Sequence, residues 1–63
     1  MMKHRIKFVI SYRVLDEDNN TLAVIKESGY NKNHIEWSVN RKVKHKFGKE
    51  ARTKKLKIVE IED

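Results

Sequence analysis

From Arg5 to Leu15 the residues alternate strictly, with Ile6, Phe8, Ile10, Tyr12 and Val14 in one set and Arg5, Lys7, Val9, Ser11 and Arg13 in the other. An extended backbone turns successive side chains to opposite faces. The pattern therefore predicts a strand with one face in a core and one cationic face toward solvent. A chain of 63 residues has room for one domain, and a domain this small buries only about 60% of the surface its unfolded chain exposes. The other segments must therefore fold against the apolar side of this strand.

Asp16 to Asn20 is an acidic, Asn-containing loop of hairpin length, and Thr21 to Glu27 supplies a second apolar run, which predicts a β-hairpin. Ser28 to Asn33 holds Gly29 and two asparagines, the material of a turn. Asn33 stands three residues before Glu36 in the manner of a capping box, so a helix is expected to begin near His34. Ile35, Val39, Val43 and Phe47 recur every four residues as its buried stripe, and Gly48 fits a left-handed cap at its end.

A third run spans Thr53 to Glu62, with Leu56 and Ile58 in one phase and Val59 and Ile61 in the other. A β-bulge, a strand covered on both faces, and a contact with a partner beyond the domain each produce such a change of phase. The order strand, strand, helix, strand with short connections predicts a single α+β domain. It is a β-β-α-β arrangement in which a three-stranded antiparallel sheet of order 2-1-3 carries the helix on one face.

Charged residues make up 38% of the chain and apolar residues another 38%, enough for a folded core beneath a crowded ionic surface. The net charge of +6 is unevenly distributed. Asp16, Glu17 and Asp18 share one loop and Glu60, Glu62 and Asp63 close the chain, whereas Lys42 to Lys57 holds eight Lys or Arg residues and one acid, Glu50. This basic stretch spans the end of the predicted helix and the loop after it. It is expected to form one continuous positive surface for an anionic partner.

Cysteine is absent, so neither disulfides nor thiolate metal sites are available, and His4, His34 and His45 are too scattered for a zinc set. Lys3, His4 and Arg5 precede an apolar run too short for a signal-peptide core, and no segment approaches the length of a membrane span. A cytoplasmic location is expected, in the host if the chain is viral, with no membrane partner and no cofactor. The two glycines form no phosphate loop, no serine lies in a nucleophile elbow, and His34 and Glu36 are two residues apart on a helix and do not meet. The expectation is a non-enzymatic protein.

On a helical projection Trp37 lies away from the apolar stripe and near His34, Arg41, Lys44 and His45. An aromatic ring among cations stacks on a base while its neighbours contact phosphates; the other reading makes Trp37 an extension of the core. Lys49, Arg52, Lys54 and Lys55, with Lys57, form a flexible cationic group suited to phosphate contacts without sequence preference. The candidate nucleic-acid-binding residues are thus Trp37, Arg41, Lys44, Lys49, Arg52, Lys54 and Lys55. Arg5, Lys7 and Arg13 line the solvent side of the first strand, where the aromatic platform of RNA-binding sheets is lacking because Phe8 and Tyr12 fall on the other side.

Val43, Phe47, Gly48, Arg52, Lys54, Lys55, Ile58 and Ile61 follow a helix, glycine, basic stretch and Ile-rich strand that resembles the archaeal large-subunit ribosomal protein LX family. The resemblance covers Val39 to Glu62 and implies contact with ribosomal RNA through the basic positions. In layout the chain is also similar to small phage proteins that inhibit host RNA polymerase or act as antitoxins, which implies a protein target. The expected function is RNA-favouring nucleic-acid binding, the alternative being a protein-interaction module that binds a host protein with an acidic surface and inhibits it.

Overall fold

The computed structural model describes residues 5–62; Lys3, His4 and Asp63 of the reading above lie outside them. Strand β1 (Ile6–Leu15) is followed by β2 (Thr21–Gly29), helix α1 (Lys32–Phe47) and β3 (Arg52–Glu62). The sheet is antiparallel in the order β2-β1-β3. This is the α+β layout that the alternation and the short connections predict.

Ile10, Tyr12 and Val14 of β1 pack against Ile35, Val39 and Val43 of α1, and Ala51 closes the group. Phe8, Ala23, Ile25 and Phe47 pack around it, partly buried. The four-residue stripe of the helix is thus the core stripe, although Phe47 reaches only its margin. Opposite Phe8, Gly29 lets the helix come close, since a Cβ there would stand 3.1 Å from Ile35 Cγ1.

The β1–β2 turn is built by Asp16. Its backbone N–H donates to the Asn20 carbonyl at 2.9 Å, and its carboxylate accepts from the N–H groups of Asn20 and Asp18, both at 2.8 Å. Asn19 takes the positive φ of 67° that the reversal needs, a conformation asparagine tolerates well. The Asn20 N–H bond, with that from Asp18, holds the Asp16 carboxyl below its ordinary range. A depressed folded pKa contributes stability above the unfolded value, and that contribution is lost as the pH falls through the folded one.

The helix begins earlier than the Asn33–Glu36 spacing suggests. Asn31 is the N-cap, with extended φ and ψ of −135° and 116°, and its side-chain oxygen accepts from His34 N–H at 3.1 Å. Strand β2 continues to Gly29, two residues past its last expected position, so only Tyr30 and Asn31 bridge to the helix. Asn31 is then the residue in extended conformation at the point where capping is required. Glu36, freed from a capping role, reaches β3 instead.

Gly48 ends the helix, donating its N–H to the Lys44 carbonyl at 3.0 Å. Its φ is positive, at 101°, as a glycine cap predicts, but its ψ of 161° places it outside the left-handed helical region. This conformation is essentially restricted to glycine. Strand β3 carries a bulge, since Ser11 pairs with Lys57 and Tyr12 with Lys55 and Leu56 is the extra residue. Beyond it the pairing is regular: Ile58 lies with Ile10 on the helix side, and Val59 and Ile61 lie with Val9 and Lys7 on the other, so the strand carries apolar residues on both faces.

Two outcomes follow. Gly48→Ala has free space for its methyl group but the wrong backbone, so it is expected to lower stability by about 1–3 kcal/mol in urea titration. Tyr12 is 3% exposed and its hydroxyl has no hydrogen-bond partner among the described residues, so Tyr12→Phe is expected to gain about 1 kcal/mol in the same titration. Burial first, and the nearby Glu36 second, raise the Tyr12 pKa above its usual 10.0. The wild type therefore loses stability as pH rises through that raised value, and Tyr12→Phe lacks this component in alkaline titrations followed by circular dichroism.

Candidate nucleic-acid interface

The stripe that sends Ile35, Val39 and Val43 into the core sends Trp37 to the far side of the helix, where it is 57% exposed. Trp37 is therefore outside the core, with its ring open to solvent. The His34 ring, one turn before it, lies 6.0 Å away at an interplanar angle of 25°, and the Arg41 guanidinium, one turn after it, stands 5.4 Å from the ring centroid. Trp37 and Arg41, with Ser38, Lys42, Lys44 and His45, line an open groove of about 690 Å³.

The charge of this groove depends on where the neighbouring acids point. Glu36, the one acid in the helix, pairs with Lys55 of β3 at 2.6 Å, and Glu27 of β2 pairs with Lys42 at 2.7 Å. Both pairs tie the flanks of the helix to the sheet, Glu36 reaching from the helix to β3 and Glu27 from β2 to the helix. Arg41 and Lys44 have no acid partner among the described residues, and the last helical turn adds Lys46 and His45. Cations at a helix C-terminus are favoured by the helix dipole, so this concentration of charge is locally stable.

The basic stretch from Lys42 to Lys57 does not form one continuous surface. Arg41, Lys44 and Trp37 are together in the helix groove, and Lys49 sits in the turn after Gly48. The Arg52 guanidinium donates to the Asn19 side-chain oxygen and, at 3.4 Å, to the Asp16 carbonyl, so it ties β3 to the hairpin turn. Lys55 faces the helix side, where its hydrogen bond to Glu36 raises its pKa. Lys54, its neighbour, pairs with Arg13 on the opposite face of the sheet. Alternation along β3 and the bulge at Leu56 separate these charges.

Sequence reasoning missed Lys26, which the β1–β2 register brings to the face opposite the helix beside Ser11. Its parity with Val24 and Ser28 was the available signal. His34 and Glu36 diverge, one toward Trp37 and the other toward Lys55. Among the described residues no group of three or more His, Asp or Glu side chains is placed to hold a metal, and no helix is long and apolar enough to cross a membrane. Comparison with protein-family models, curated proteins and solved structures yields no match, so the chemistry of these side chains is the basis for a functional reading.

Proposed function

We propose that this protein is a non-enzymatic nucleic-acid-binding protein that takes single-stranded segments, RNA in the first place, on the outer face of α1. The observation that carries this reading is the exposed Trp37 ring between His34 and Arg41, in a groove that also holds Lys44 and His45. A base stacked on an aromatic side chain contributes about 1–3 kcal/mol whatever its identity. Arg41 and Lys44 flank the ring at the spacing of one and two helical turns, and Lys49 continues the cationic path past the helix end. The basic positions supply attraction, and the ring supplies a preference for unpaired bases.

Arg52 and Lys55, both engaged within the protein, drop out of the contact set, and Lys54 leaves this face. The remaining contacts are Trp37, Arg41, Lys44 and Lys49. Sequence-independent RNA binding fits a cytoplasmic setting, and it agrees in class with the ribosomal RNA contact that the LX resemblance implies.

The reading is tested by titrating a labelled 12-nucleotide RNA and a matching DNA duplex at two salt concentrations while following Trp37 fluorescence. With about three phosphates neutralised, the logarithm of the affinity for single-stranded RNA is expected to fall with the logarithm of salt at a slope of about −2. Trp37→Ala should weaken RNA binding about 5- to 100-fold, in line with the loss of one stacked base. The absence of binding at low salt, or undiminished affinity in Trp37→Ala, would refute this function.

A further inference from the structure

The sheet face that the helix leaves open has its own charge pattern, fixed by strand register. On this face Ser11 of β1 lies between Lys26 of β2 and Lys57 of β3, and in the next row Arg13 lies between Val24 and Lys54. Adjacent strands are about 4.8 Å apart and same-face rows about 7 Å apart. Four cationic side chains, Arg13, Lys26, Lys54 and Lys57, therefore arise from a patch about 10 Å by 7 Å around the Ser11 hydroxyl.

All four are exposed, and none has an acid partner among the described residues. The same register places Glu27, Glu60 and Glu62 on the helix side, level with Ile10, Phe8 and Ile6. The open face thus has no acid in any of its paired positions. Like charges directly opposite one another, as Arg13 and Lys54 are, destabilise a sheet. A bound anion removes that repulsion.

We infer that Arg13, Lys26, Lys54 and Lys57, arranged around Ser11, form a second phosphate-binding site, and that it takes the backbone of a second nucleic-acid segment. None of the paired positions of this face holds an aromatic side chain, so the four-cation patch holds phosphodiesters and does not stack bases. On one side the uncharged row of Val9, Ser28 and Val59 separates these four from Lys7, and on the other Arg52, opposite Leu15, is engaged by the hairpin turn. The molecule measures only 18 Å by 13 Å across its short axes, so two segments held on its opposite faces run close together. The protein is then a bridge between nucleic-acid segments. This inference rests on the proposed function of the helix groove for the first of them.

The test mixes the full chain with two populations of the same 12-nucleotide RNA, one carrying a donor dye and the other an acceptor. Energy transfer reports bridging, and quenching of Trp37 reports occupancy of the groove. The wild type is expected to give both signals. A variant carrying Arg13→Gln, Lys26→Gln, Lys54→Gln and Lys57→Gln is expected to keep the quench and its circular dichroism spectrum while losing energy transfer.

Energy transfer undiminished in that variant would overturn the second site, as would a wild type that quenches without transfer; in both cases the groove function stands. Loss of both signals in a folded variant would place the four cations and Trp37 on one functional surface, which also overturns it. A polyglutamate competitor of matched charge that abolishes transfer as effectively as unlabelled RNA would assign the face to acidic protein instead. Absence of both signals in the wild type removes the groove reading itself.

Discussion

The packing of Ile10, Tyr12 and Val14 on Ile35, Val39 and Val43 is the contact on which the rest of this molecule depends. It joins the one strand with two neighbours to the one helix, and the described residues bury no polar or charged side chain elsewhere to assist it. Hydrophobic burial is roughly proportional to apolar area removed from water, so a core of this size leaves little stability to lose. The gap at Gly29, the cap at Asn31 and the turn at Asp16 each bring β2 or the helix onto β1 at an angle that preserves this contact. A single packed layer also means that every surface residue is on one of two broad faces.

Those faces have opposite electrostatic arrangements. Around the helix, cations near the sheet are neutralised: Glu36 holds Lys55 and Glu27 holds Lys42, while Arg41 and Lys44 point outward beside Trp37. Such exposed pairs contribute little to stability, a median of about 0–1 kcal/mol. Their larger effect is to decide which cations stay available. On the open sheet face no acid intervenes, so Arg13, Lys26, Lys54 and Lys57 repel one another in the free protein. Repulsion that a ligand relieves lowers the stability of the free domain and raises the affinity for an anion by related amounts, because both are read from the same pair of states.

The elements legible in the sequence are those governed by periodicity over many residues. Ten alternating positions define β1, and four apolar residues at four-residue spacing define the buried side of α1; nothing in the fold opposes either pattern. The helix start was less legible because Asn31 and Asn33 are both competent caps. What separates them is how far β2 pairs with β1, a tertiary property. The site was half legible for a similar reason. Trp37 with Arg41 and Lys44 follows from helical geometry, whereas Arg52 and Lys55 find partners in Asn19 and Glu36, residues 33 and 19 positions away in the chain.

The bulge at Leu56 shows most clearly how one local irregularity decides which face a residue occupies. Lys54 and Lys57 are three apart, and in a regular strand an odd separation puts two side chains on opposite faces. Inserting Leu56 as an unpaired residue changes the phase, so Lys54 opposite Arg13 and Lys57 opposite Ser11 share the open face. Lys55, opposite Tyr12, remains on the helix side within reach of Glu36. The same shift turns Val59 and Ile61 to the open face, where they are 38% and 46% exposed. Regular pairing would have sent Lys57 to the helix side and broken the cationic group. The exposed valine and isoleucine are thus the consequence of a register that gathers four cations on one surface.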